Sequence, residues 1–118
     1  MLLEQDQFYR LKAYGEVNEM ELTESRKAIE SIDEQMAILF VQRMEVVREI
    51  AAYKFERDLP VEDRQQEERI LQRQGSLIED DELRSFYMQF LQSTMDVSKR
   101  WQHRLIEGWT HSQSRTVQ

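Results

Sequence analysis

Three basic residues on one predicted helix have a spacing that suggests an anion-binding site. Arg26, Arg43 and Lys54 all lie in a segment that is predicted to be helical from about Glu19 to Arg57. Arg43 and Lys54 are about 20° apart around a helix and roughly 16 Å apart along it. Arg26 and Lys54 are roughly 42 Å apart on a straight helix. One small anion therefore cannot contact both in one chain, whereas two antiparallel copies could bring Arg26 of one chain beside Arg43 and Lys54 of the other.

The apolar side chains of this segment recur at heptad spacing, which predicts packing against another helix. The two series are Leu22, Ile29, Met36 and Ile50, and Ile32, Leu39 and Val46. Arg43 takes the heptad place after Met36. Because burial of an unpaired charge is costly, Arg43 either binds an anion or extends to the surface while its stem covers apolar area. Lys54 and Arg26, each taken alone, also fit solvated surface residues.

Polar residues elsewhere could meet the same ligand. Ser98 and Gln102 are spaced i, i+4 beside the apolar stripe of the last predicted helix, where they could hydrogen-bond a ligand or simply be exposed. Glu67, in the first turn of a short helix, could accept a hydrogen bond from a ligand hydroxyl or only stabilise the helix dipole. His103 and His111 have no matching carboxylate pattern, so we expect no metal site.

Composition limits the fold and the partners. The chain has 118 residues with only 3 Gly and 1 Pro, which favours one domain of a few long helices. A helix of about 38 residues would be roughly 57 Å long, against a radius of gyration of roughly 13 Å for a compact monomer, so a partner chain is expected to cover it. The net charge of −7 argues against nonspecific binding to nucleic acid or membrane surfaces.

Other classes of protein are also disfavoured by the sequence. There is no cysteine, hence no disulfide, thiolate metal site or cysteine nucleophile. The first residues are acidic early and lack a long apolar core, unlike a signal peptide, and the longest apolar run, 36–41, is too short to span a bilayer. We therefore expect a cytoplasmic protein.

Capping and stop signals divide the chain into elements. Residues 1–17 are expected to be an N-terminal extension with a possible short helix. Asn18 with Glu21 predicts the start of the long helix, which should end before Pro60. Asp63 with Gln66 predicts a second start, giving a short helix over 64–74 that stops at Gly75. The last helix is predicted over about 80–107. Residues 18–108 would form the helical domain, and 109–118 a polar, frayed tail.

Taken together, these features resemble the all-α chorismate mutase family. The resemblance covers roughly residues 20–107 and rests on the order and spacing of four segments and three later residues. These are LTESRKAIESID (22–33), LFVQR (39–43), IAAYK (50–54) and LPVED (59–63), followed by Glu67, Ser98 and Gln102. The resemblance implies an intertwined homodimer of three-helix chains, each with one very long N-terminal helix, and two active sites across the interface.

The resemblance also implies roles for individual residues. Arg26 of one chain and Arg43 of the other would bind the two carboxylates of chorismate, with Ser98 assisting at a carboxylate. Lys54 would contact a carboxylate and the breaking ether oxygen, and Gln102 would donate to that same oxygen. The ring hydroxyl would be held by Glu67 and the backbone near Asp63. Gln66 departs from the family, which commonly has arginine there, so one positive charge is missing from the expected site.

The implied reaction, chorismate to prephenate, is a [3,3] rearrangement within one molecule and needs no nucleophile, general base or cofactor. It would belong to the biosynthesis of phenylalanine and tyrosine. Two alternatives stay open: an isochorismate pyruvate lyase of the same fold, and a non-catalytic regulatory helical dimer that binds a ring dicarboxylate. The intact loop 60–63 and Glu67 favour the mutase because they suit a 4-hydroxyl, whereas Gln66 supports the non-catalytic alternative.

Overall fold

The computed structural model describes residues 18–116, and its regular structure in that range is helical. Three helices follow one another: α1 (Glu19–Glu56), α2 (Arg64–Gly75) and α3 (Asp81–Thr116). The prediction of an all-α chain with three helices is thereby confirmed. The short helix considered for residues 1–17 lies outside the described residues. The chain divides into two compact units, Met1–Phe40 and Val41–Gln118, with the division inside α1.

Both ends of α1 are formed by local hydrogen bonds. At the start, Asn18 Oδ1 accepts the backbone N–H of Glu21 at 2.9 Å, as the capping pattern predicts. At the end, Leu59 N–H donates to Lys54 C=O at 2.8 Å and Asp58 N–H donates to Phe55 C=O at 3.3 Å. This is the Schellman motif, and its left-handed position is taken by Asp58, with φ of 54°. The helix therefore ends at Glu56, two residues after Lys54.

The short helix α2 begins and ends where the sequence predicts, but its end has a different cause. Asp63 Oδ1 accepts the N–H of Gln66 at 3.2 Å and so caps the helix. Gly75 does not adopt a positive φ, so it is not a left-handed stop. A Cβ at Gly75 would lie 2.6 Å from Met88 Sδ of α3. Glycine at this position therefore allows α2 to approach α3 closely.

Helix α3 is longer than predicted. The sequence pattern ends it near Glu107 and makes a frayed tail of 109–118, yet the helix continues to Thr116. The predicted end of the helix near Glu107 is wrong, because Trp109 packs on the end of α1. Its ring centroid lies 5.6 Å from that of Phe55, and the Arg48 guanidinium lies 5.8 Å from the Trp109 ring centroid. These contacts stabilise a segment whose own sequence is polar.

The two units bury their apolar residues to different extents. In the unit Val41–Gln118, a small core is formed by Val47, Ala51, Val61, Leu91 and Met95. In the unit Met1–Phe40, the heptad side chains of α1 stay exposed: Ile29 is 56% exposed and Leu39 is 62% exposed. None of the helices within residues 18–116 has an apolar stretch long enough to cross a lipid bilayer.

Candidate active site

A cavity of about 160 Å³ in the unit Val41–Gln118 brings together six of the seven residues proposed from the sequence. The six are Arg43, Lys54, Asp63, Glu67, Ser98 and Gln102, and the other lining residues are Val47, Ile50, Val61, Gln66, Ile70, Met95 and Lys99. The seventh, Arg26, belongs to the unit Met1–Phe40 and is exposed. Residues far apart in sequence therefore line one cavity within a single unit, with charged and polar side chains beside apolar ones.

Arg43 is directed across the cavity by Ser98. Its Nη1 donates to Ser98 Oγ, and Ser98 Oγ donates in turn to the backbone carbonyl of Thr94 at 2.9 Å. Ser98 is only 6% exposed, so it is not the solvent-exposed serine that the sequence also allowed. The guanidinium has five N–H donors and this bond uses one. Arg43 is thus oriented by α3 while it retains donors for a ligand.

Lys54 is held by the loop that follows α1. Its ammonium donates to the carbonyl of Val61 at 2.8 Å, while its own carbonyl accepts the N–H of Leu59. The loop therefore wraps around Lys54 from both sides, and the half-buried side chain is fixed at the cavity wall. An ammonium has three N–H donors, so the bond to Val61 leaves others for a ligand oxygen.

Gln102 provides a buried amide at the cavity. It is 7% exposed, and its Oε1 accepts no hydrogen bond from any residue in the range 18–116. An unsatisfied buried polar group costs roughly 1–3 kcal/mol, so such groups usually have a partner in the working protein. A carboxamide offers an acceptor on one side and two donors on the other. This amide is therefore a candidate ligand contact, and simple exposure is excluded.

Glu67 is paired with a lysine that the sequence analysis missed. Lys99 Nζ lies 2.8 Å from Glu67 Oε1 and 3.5 Å from Asp96 Oδ1. The hydrogen bond from the ammonium to Glu67 raises the pKa of Lys99 above its usual 10.5. The missed signal is positional, since Lys99 lies between Ser98 and Gln102, on the flank of the face that those two residues share.

The family model for chorismate mutase type II matches residues 25–103. The chain belongs to the chorismate mutase type II family. No significant match was found among curated proteins or among solved structures. The matched range contains every site residue proposed from the sequence, together with Lys99. The last turns of α3, including Trp109, lie beyond the range of this match.

Two further cavity residues of this chorismate mutase-type chain, Asp63 and Gln66, make local hydrogen bonds. Asp63 uses Oδ1 to cap α2, and its backbone carbonyl accepts the N–H of Glu67 at 3.0 Å. Asp63 thereby orients the first turn of α2, which carries Glu67 into the cavity. Gln66, where the family commonly has arginine, also lines the cavity, and its Oε1 accepts a hydrogen bond from Arg69 at 3.2 Å.

A pair next to the site ties the loop to α3. His103 Nε2 lies 2.9 Å from Glu62 Oε1, and both side chains are more than half exposed. The hydrogen bond from His103 lowers the pKa of Glu62 below its usual 4.5. Because Glu62 follows Val61 and His103 follows Gln102, the pair links the loop that holds Lys54 to the turn that carries the buried amide.

Proposed function

We propose that this chain is a chorismate mutase that converts chorismate to prephenate in the biosynthesis of phenylalanine and tyrosine. The observation that carries the proposal is the cavity itself. It places the cations Arg43 and Lys54 around the buried carboxamide of Gln102, whose Oε1 has no hydrogen-bond partner among residues 18–116. Family membership supports the same reaction class.

The cations would fix the substrate in a reactive shape. Chorismate carries two carboxylates, and Arg43 would bind one of them with the donors that Ser98 does not use. Arg26 of a second copy would bind the other. The Ser98 hydroxyl already donates a hydrogen bond to the Thr94 carbonyl, so we assign Ser98 mainly to orienting Arg43. Holding both carboxylates in a reactive chair lowers the entropic part of the barrier.

Lys54 and Gln102 would act on the bond that breaks. As the ether C–O bond of chorismate breaks and the new C–C bond forms, negative charge builds on the ether oxygen. An ammonium and an amide N–H directed at that oxygen stabilise the transition state more than the bound substrate. Glu67 and the backbone near Asp63 would hold the ring hydroxyl, with the Glu67 carboxylate accepting its hydrogen bond. The electrons move in one cycle within the substrate, so none of these residues needs to exchange a proton.

The second copy is proposed from the exposed half of α1. Its heptad residues between Leu22 and Leu39 form an apolar stripe that a soluble chain would normally cover. An identical chain in antiparallel orientation has the matching pattern, and an isologous contact is the commonest form of homodimer. This arrangement would also deliver Arg26 to the cavity of the other chain, as the intertwined family dimer implies.

Incubation of the purified chain with chorismate and, separately, with isochorismate tests the proposal. We expect prephenate from chorismate and no accumulation of salicylate and pyruvate from isochorismate. Gln102→Ala should abolish most of the activity, whereas Gln65→Ala, an exposed glutamine of α2 outside the cavity, is the matched control. Salicylate formation would favour the lyase, and binding of chorismate without turnover would favour a regulatory dimer.

A further inference from the structure

Within one chain, the charges that line the cavity cancel unless Lys99 is included. Arg43 and Lys54 contribute two positive charges, and Asp63 and Glu67 contribute two negative ones. Without another cation this unit would offer a doubly negative ligand a cavity with no net charge. Position 66, where an arginine would make the net charge of the cavity positive, is glutamine. Lys99 lines the same cavity and makes its net charge positive.

Lys99 is also placed to control Glu67. The Nζ–Oε1 distance of 2.8 Å is that of a charge-assisted hydrogen bond, and both side chains are about three quarters buried. Partial burial reduces screening by water and salt, so this pair interacts more strongly than a surface ion pair. The remaining oxygen of Glu67 can accept a hydrogen bond. A carboxylate held in this way is a defined acceptor for one hydroxyl group.

We propose that Lys99 is a positioning and specificity residue that replaces the arginine missing at position 66. Its ammonium holds Glu67 as the acceptor for the ring hydroxyl and supplies the positive charge that Gln66 does not. This inference rests on the proposed mutase function. It revises the expectation for Gln66, because the missing cation is provided from α3 and an arginine at 66 adds less than the sequence alone suggests.

The test is a set of variants measured for kcat and KM with chorismate. Lys99→Met should raise KM about tenfold, the equivalent of one charge-assisted hydrogen bond, and should change kcat much less. Lys99→Arg should keep KM close to that of the wild type. Arg100→Met removes the neighbouring, exposed cation of α3 and should leave KM within about twofold. The double variant Lys99→Met with Gln66→Arg should recover most of the lost affinity.

A double-mutant cycle of Lys99 and Glu67 tells whether Lys99 acts by positioning Glu67 or only by adding positive charge to the cavity. If Lys99 acts through Glu67, Lys99→Met should raise KM much less in the Glu67→Gln background than in the wild type. Lys99→Gln keeps a donor without the charge, and it takes the place of Lys99→Met if the latter does not fold. A folded Lys99→Met or Lys99→Gln variant with KM within twofold of the wild type overturns the inference, as does a Gln66→Arg change that rescues nothing.

Failure of the proposed function would look different. If the wild-type chain forms no prephenate, the proposed mutase function is wrong, whatever the role of Lys99. Calorimetric titration with chorismate then tests Lys99 directly, because binding needs no turnover. Weaker binding by about tenfold in Lys99→Met, with Arg100→Met unchanged, would support the role of Lys99, and equal binding in all three proteins would overturn it.

Discussion

The two halves of α1 carry one continuous apolar pattern but have different surroundings. From Val41 to Glu56, Val47 and Ala51 are buried, and Arg43 and Lys54 are held by Ser98 and the Val61 carbonyl. From Glu19 to Phe40 no residue is buried, and Ile29 and Leu39, one from each heptad series, are more than half exposed, as is Val46 in the other half. Within one chain, α1 lines the cavity only with residues of the half Val41–Glu56. The other half has the composition of an interface, and it carries Arg26, the cation that the proposed site still needs.

The largest effect is expected for Lys54, near the end of the half Val41–Glu56 of α1. Lys54→Ala should lower kcat by about 10³ or more, since loss of one donor to a developing oxyanion typically costs 10²–10³ and here a full charge is lost as well. Lys27→Ala, an exposed lysine of the other half, should leave kcat within about twofold. The measurement is the initial rate of chorismate consumption, with circular dichroism to verify folding. A folded Lys54→Ala enzyme with near wild-type kcat would contradict the assignment.

Gln102 should follow closely. Gln102→Ala should reduce kcat by about 10²–10³, because its amide is proposed to donate only in the transition state. Gln102→Glu should be active only when the carboxyl is protonated, which moves the optimum of kcat to acid pH. Rates measured from pH 4 to 9 test this. Wild-type kcat at pH 8 in Gln102→Glu would show that residue 102 is not the donor to the ether oxygen.

Mixing two inactive variants tests whether Arg26, in the half Glu19–Phe40 of α1, acts in the site of a second chain. Arg26→Ala and Lys54→Ala chains should each be inactive alone, because every site in either homodimer lacks one cation. After subunit exchange at equal concentrations, half of the dimers should be mixed and each should have one intact site, so about a quarter of the wild-type activity should return. Verified mixed dimers without any recovered activity would refute a site shared between chains.

The Ser98→Ala variant tests how Arg43, in the half Val41–Glu56 of α1, is held. The serine orients Arg43 rather than contacting the breaking bond, so its loss should raise KM several-fold and change kcat less. Ser85→Ala, an exposed serine of α3 outside the cavity, is the control. A loss confined to kcat would instead place Ser98 among the groups that act in the transition state.

The smallest effect concerns the loop around Lys54. The pKa of Glu62 is lowered by the hydrogen bond from His103, so the pair stabilises the fold above the ordinary pKa of about 4.5 and the contribution disappears as pH falls through the lowered value. Because both groups are mostly exposed, Glu62→Gln should change stability at pH 6 by about 0.5 kcal/mol or less. Denaturant unfolding at pH 6 and at successively lower pH tests this, and the difference between wild type and variant should shrink as pH falls through the lowered pKa.

Local features of the sequence determined where the helices begin and predicted the class of ligand. Asn18 and Asp63 cap their helices because a side-chain oxygen within three residues satisfies a free N–H, whatever the rest of the chain does. The spacing of Arg26, Arg43 and Lys54 follows from helix geometry alone, which is why a shared anion site could be predicted before any fold was known. The order of the segments likewise indicated the family, which the match over residues 25–103 confirms.

Contacts between distant segments were decided only by the tertiary structure. Lys99 resembles any solvated lysine until α2 brings Glu67 within 2.8 Å of it. Trp109 extends α3 because Phe55 and Arg48 lie beside it, and Gly75 is needed because Met88 packs against it rather than because its φ is positive. Helical periodicity reports which face a side chain occupies. It does not report which residue of another helix meets that face, since that depends on how the helices pack.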